Sequence, residues 1–331
     1  MAGCGEVDSA AGAFQQCDAH PAFEETDCAG QWWLRDAEAL SGAAEVEFFG
    51  DCDEVAQFAR LDVIHTFRVS PQTWSILVRG RCRWCAQGMD EARIALVTGA
   101  NKGIGRAVAE GLAELGITVL IGARDSERGA EAAAKIKGAS PIRLDVTDPA
   151  AVAAAAEEVG SRFGRLDILV NNAGIGGDLA AQEPGAARLD GIREVFETNL
   201  FGVVTVTEAM LPLLRHSAAA RIVNVSSGTS SKAWMTDATH YLSRSAASLG
   251  YPVSKAALNM LTVQYAKALA GDGILVNAIA PGACDTDFAK GLPFQLSRTA
   301  AEGAAVVVRL ATLGRECPSG GFFDDGGKVP W

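Results

Sequence analysis

From residue 93 onward the chain predicts a doubly wound α/β fold on a parallel sheet, and three observations carry that reading. Short β-branched runs alternate with Ala-rich stretches of helical period. The runs are mostly apolar without strict alternation, as strands are when helices cover both faces of their sheet. The first run opens onto a glycine-rich turn and then an amphipathic stretch, the order in which a strand hands a phosphate-binding loop to a helix.

Strands are expected at 94–98 (Ile-Ala-Leu-Val-Thr), 118–123 (Thr-Val-Leu-Ile-Gly-Ala), 142–145, 166–171, 221–225 (Arg-Ile-Val-Asn-Val) and 274–279. Helices are expected near 104–115, 126–136, 149–163, 191–214 and 253–269. Right-handed crossovers between parallel strands distribute these helices over both faces of the sheet. Between the first strand and helix lies Thr98-Gly99-Ala100-Asn101-Lys102-Gly103-Ile104-Gly105. Its three glycines allow a tight turn and a close approach of backbone to a pyrophosphate. The helix that follows points free N–H groups and the positive end of its dipole at the phosphates, which makes the expected fold Rossmann-type.

More motifs follow in order. They are Asp145-Val146 in Leu-Asp-Val-Thr-Asp, Asn171-Asn172-Ala173-Gly174, Asn199 in Thr-Asn-Leu-Phe-Gly, Ser226-Ser227 closing the fifth strand, Tyr251-Pro-Val-Ser-Lys255, and Pro281-Gly282 with Thr286. With the glycine loop, this ordered set resembles the short-chain dehydrogenase/reductase family across residues 93–331. The resemblance implies a nicotinamide cofactor. Gly99, Asn101, Lys102, Gly103, Ile104 and Gly105 would cradle it, with Asp145 and Val146 in the adenine region. Asn172, Ala173 and Gly174 would line it, Tyr251 and Lys255 would hold the nicotinamide ribose, and Pro281, Gly282 and Thr286 would lie toward the nicotinamide.

The end of the second strand discriminates NADP from NAD. An acid there binds the ribose 2′-OH of NAD, whereas a cation accepts the 2′-phosphate of NADP. The family's NAD-type acid would fall at Ala123. Arg124 offers a planar fork for phosphate, and Lys102 a second charge. NADP is therefore expected over NAD, with the neighbouring Asp125 working against it.

A carbonyl turning into an alkoxide needs a proton donor and a polarising hydrogen bond. Tyr251 and Lys255 are four residues apart and share a helix face. An ammonium and a positive nicotinamide ring nearby would lower the tyrosine pKa. Ser227 is placed to hydrogen-bond the substrate oxygen, and the resemblance selects it over Ser226. The resemblance also makes Asn199 a fourth member, holding a proton-relaying water beside the lysine. Tyr241 lacks a lysine four residues on, so Tyr251 is the expected acid. Tyr251 follows Ser227 by 24 residues, so segment 228–250, which contains Trp234, is an insertion expected to pass the substrate pocket. Asn101-Lys102-Gly103, Glu302-Gly-Ala-Ala, Gly320-Gly-Phe-Phe and the final Pro330-Trp331 resemble the carbonyl reductase branch, which implies NADPH-dependent reduction of ketones, aldehydes and quinones.

Residues 1–88 hold four of the six Trp and six of the eight Cys and show no sustained period of 3.6 or 2. They are expected to be a poorly organised extension before a single catalytic domain at 89–331, with Met89 a possible natural start. Cys82-Arg-Trp-Cys85 lacks both a strand-to-helix setting and a second close pair, so no metal is expected. A net charge of −11 argues against a nucleic-acid partner. No run is long and apolar enough to span a bilayer, and the start lacks a signal-peptide pattern. The expectation is a cytoplasmic monomer or small homo-oligomer acting on a small carbonyl or alcohol. The alternatives are an NAD-dependent alcohol dehydrogenase and a non-catalytic NADP-binding redox sensor.

Overall fold

A computed structural model describes residues 92–289, 296–314 and 318–331. The cysteine-rich stretch, including Cys82 and Cys85, and the expected boundary at Met89 lie outside those residues. Seven strands pair in parallel: β1 (Ile94–Thr98), β2 (Thr118–Ala123), β3 (Ala139–Arg143), β4 (Ile168–Asn171), β5 (Arg221–Val225), β6 (Leu275–Ile279) and β7 (Phe322–Asp324). β8 (Gly327–Lys328) turns back antiparallel on β7, and the spatial order is β3-β2-β1-β4-β5-β6-β7-β8. The helices are α1 (Gly103–Glu114), α2 (Ser126–Ala133), α3 (Pro149–Phe163), α4 (Leu189–Phe196), α5 (Gly202–Arg215), α6 (Lys232–Thr236), α7 (Tyr251–Ala268) and α8 (Ala300–Thr312). None of the described helices is long and apolar enough to cross a membrane.

Successive residues of each strand feed opposite cores, as the period of two requires. Ala95 and Val97 of β1 pack with Val108 and Leu112 of α1 and Val307 and Leu310 of α8. Ile94 and Leu96 pack on the other face with Val152 and Val159 of α3 and Val206 and Met210 of α5. The expected doubly wound parallel sheet is therefore present.

Several elements differ from expectation. β3 begins and ends earlier than 142–145, because its register pairs Val119 with Ala139 and Ala123 with Arg143. Pro141 is tolerated within β3 because that strand is the sheet edge, where a missing N–H breaks no ladder bond. The expected helix 191–214 is two helices joined by a π-helical turn, Glu197–Phe201. α2 stops at Ala133, short of residue 136. α8 and the β7–β8 hairpin come from a stretch with no strong pattern. α8 is fixed locally by a reciprocal cap, in which Thr299 accepts from the Glu302 N–H and Glu302 accepts from the Thr299 N–H.

Candidate active site

β1 has β2 on one side and β4 on the other, so the strand order reverses there and the loops beyond β1 and β4 diverge into a crevice. The loop after β1 enters α1 through Gly99 (φ 64°) and Gly103 (φ 58°), left-handed conformations that side chains disfavour. Asn172 backs this loop. Its Nδ2 donates to Thr98 O (2.9 Å) and Gly99 O (3.3 Å), and a Cβ on Gly105 would overlap that amide. The Thr98 hydroxyl accepts from the N–H groups of Asn172 and Ala173, both at 2.9 Å, so the two loops are locked as one floor. Lys102, the residue before α1, makes no side-chain cap. The first N–H groups of α1 are therefore left for an anion, and these residues fit a pyrophosphate.

Ser226 and Ser227 follow the carboxyl end of β5. Ser226 is buried, and its hydroxyl is engaged with Ser230 Oγ (3.2 Å) and Lys255 O (3.4 Å). Ser227 is only half-buried, lies against Thr229 Oγ1 (3.0 Å) and shares a hydrogen bond with the Tyr251 side chain. Tyr251 opens α7, and Lys255 lies one turn on with its ammonium 5.9 Å from the centre of the Tyr251 ring. That ammonium is buried, donates to Val225 O (2.8 Å) and is drawn down by burial to about 8. Gly174 leaves room beside it, since a Cβ there would stand 3.4 Å from Lys255 Nζ. Tyr241 is two-thirds exposed and packs on His240, which stacks on Trp234 inside the insertion.

One expectation changes here. The Tyr251 pKa is raised, not lowered, because burial of the phenol outweighs the hydrogen bond with Ser227. The expectation counted on a bound nicotinamide ring as a second positive charge. Without it the cost of desolvating a phenolate dominates. Asn199 is buried in the π-helical turn, and its side chain is spent on protein: Oδ1 accepts from Ile175 N (2.9 Å), and Nδ2 donates to Ile175 O (3.0 Å) and Ser254 Oγ (3.1 Å). Its amide thus ties the Asn-Asn-Ala-Gly loop to the α7 helix.

At the far end of the crevice Arg124 is exposed and makes no ion pair among the described residues. Asp125 caps α2, accepting from the Glu127 and Arg128 N–H groups (3.1 Å each), and its other oxygen meets Arg128 (3.4 Å). The acid expected to offset Arg124 is thereby turned away. Asp145, next to the buried Val146, is held below the usual carboxylate range. Burial opposes this, but hydrogen bonds from the Thr147 N–H and hydroxyl and the charges of Arg124 and Arg143 prevail. Lys102 is paired with Asp287 (3.0 Å), a residue 185 positions away that no local pattern announces. Thr286 lies against Gly103, so the segment after β6 reaches the cofactor loop. Gly282 (φ 76°) and Pro281 shape its start, and Arg298 Nε donates to Pro281 O (2.8 Å). Two further residues escaped the sequence. Phe288 sets its ring 5.5 Å from that of Tyr251, and Gln182 bonds the Tyr251 N–H.

The pattern of the short chain dehydrogenase family matches residues 93–295. A short-chain dehydrogenase (anuI) of Penicillium roqueforti is 40% identical over 230 residues, covering 67% of this chain and 89% of that protein. Salutaridine reductase of Papaver bracteatum is 32% identical over 305 residues, 72% of this chain and 96% of its own. Among solved structures, an NADPH-bound carbonyl reductase from chicken fatty liver superposes with a TM-score of 0.64 at 33% identity, covering 73% of this chain and all of that one (100%).

Proposed function

The chain belongs to the short-chain dehydrogenase family, and from that membership we propose that it is an NADPH-dependent carbonyl reductase with Tyr251 as its general acid. The oxidoreductase class, the CH–OH or C=O substrate group and a nicotinamide cofactor follow from the family. The observation that supports the finer reading is the convergence of Ser227, Tyr251 and Lys255 beside the glycine-rich floor. When bound, the cofactor supplies hydride to the carbonyl carbon. The Ser227 hydroxyl donates to the carbonyl oxygen, and that bond strengthens as charge develops there. Tyr251 gives its proton to the nascent alkoxide. The Lys255 ammonium, held beside the ring, stabilises the phenolate left behind.

Selectivity for the 2′-phosphate rests on Arg124, with no acid at Ala123 and with Asp125 committed to α2. The chicken reductase of similar fold is NADPH-bound, in keeping with this reading. The test is a panel of aldehydes, ketones, quinones and alcohols with both cofactors, followed at the reduced cofactor's absorbance. Carbonyl reduction with at least about a tenfold preference for NADPH is expected. Turnover confined to alcohols with NAD⁺ would make the protein an alcohol dehydrogenase instead, and cofactor binding without turnover would make it a sensor.

A further inference from the structure

Gln182 ends a short 3-10 turn, Leu179–Gln182, and its side chain is entirely buried. A primary amide has two acceptor sites and two donor hydrogens, and here all four are used. Oε1 accepts from the Tyr251 N–H (2.7 Å) and from the Ser248 hydroxyl (2.9 Å). Nε2 donates to Gly176 O (2.7 Å) and Asp178 O (3.1 Å). The two carbonyls can only accept and the Tyr251 N–H can only donate, so the orientation of the amide follows from its partners. Its backbone carbonyl also accepts from the Leu249 N–H (2.9 Å).

This one side chain therefore joins three segments: the exit of the Asn-Asn-Ala-Gly loop, the end of the 228–250 insertion, and the first N–H of α7. That helix lacks a cap of its own, because Gly250 precedes it and offers no side chain. Gln182 fills the space, and a Cβ on Gly250 would overlap Gln182 Oε1, Cδ and Cγ. Gln182 thus performs the N-cap function from 69 residues away, on the very residue that carries the phenol. The same loop carries Gly174 against the Lys255 ammonium and Ile175 against Asn199.

We propose that Gln182 is a positioning residue for proton transfer: by capping Tyr251 it sets the phenol relative to Ser227 and Lys255. This rests on the reading of Tyr251 as the acid. The contact can be broken from either side, by Gln182→Met or by Gly250→Ala. Gly250 has φ −102° and ψ −79°, at the margin of the right-handed helical region and without the positive φ that would demand glycine, so the second variant acts mainly through the displaced amide. In the full-chain protein each should lower kcat for carbonyl reduction by about 10- to 100-fold, since a displacement of about 1 Å at a reacting group costs that much. NADPH affinity, read by cofactor fluorescence, should stay within about twofold. The deciding measurement is single-turnover reduction by Tyr251→Phe with and without Gln182→Met. A residue acting through the phenol has nothing more to lose once the phenol is gone, so the pair should equal Tyr251→Phe alone. A further fall in the pair, or wild-type kcat in Gly250→Ala, overturns the positioning role. If Gln182→Met does not fold, Gly250→Ala paired with Tyr251→Phe makes the same comparison. Normal turnover in Tyr251→Phe alone would instead remove the acid itself, and this inference with it.

Discussion

At Lys255 burial and charge oppose each other, and the balance is measurable. Its folded pKa of about 8 lies below the ordinary 10.5, so the unfolded chain binds more protons between those values. Stability must then rise with pH from about 8 toward 10.5. In the cofactor-free protein the melting temperature of wild type relative to Lys255→Met should climb between pH 7.5 and 9.5, and a flat difference would contradict the burial argument. Arg124 is argued at the same scale. Charge-assisted contacts to phosphate contribute roughly 1.5–3 kcal/mol, so Arg124→Ala should raise the NADPH dissociation constant about tenfold or more and leave NADH nearly unchanged. Titration of both cofactors by fluorescence checks this, and equal losses would remove Arg124 from the selectivity account. Ser227, Tyr251 and Lys255 were singled out in the sequence through the family resemblance of their ordered motifs, a Tyr and a Lys four residues apart on one helix and a serine pair after a strand, and the fold brings them near one another. Gln182 and the Lys102–Asp287 pair were not, because their partners are 66 to 69 and 185 residues away and meet only through the fold.

Helices and strands were legible to the extent that local chemistry ends them. α3 matches its expected bounds because Asp148 caps it, Pro149 opens it and Gly164 (φ 68°) closes it. The π-helical turn at Glu197–Phe201 carries no such signal in a run whose periodicity simply continues. Its bonds to Ile175 and Ser254 are tertiary. Asn199→Ala would leave the Ile175 N–H and C=O without their partner in a half-buried setting, at about 1–3 kcal/mol in all. Denaturant unfolding should show a loss of that order together with reduced turnover. α1 and α8 approach closely at Gly111, where a Cβ would meet Val308 at 3.0 Å. A helical glycine is tolerated there for packing, so Gly111→Leu should destabilise by about 1–3 kcal/mol through overpacking despite leucine's better helix propensity. An unchanged or higher melting temperature would show that α8 yields without cost.

The whole sheet was legible as far as β6, because continuous apolar strands between amphipathic helices admit few arrangements. The β7–β8 hairpin was not, since three- and two-residue strands show no period. Every motif that the family resemblance rests on lies after Met89. We therefore predict that a protein beginning at Met89 folds and turns over like the full chain. Loss of soluble activity on that truncation would mean that residues 1–88 support the domain. The central claim is that carbonyl reduction runs through the Tyr251 proton, and Tyr251→Phe in the full chain tests it directly. The ring remains, so packing and NADPH binding should persist while NADPH-dependent carbonyl turnover falls by about 10²–10⁴-fold or more. Near-normal turnover in Tyr251→Phe, with the loss appearing in Tyr241→Phe instead, would contradict it.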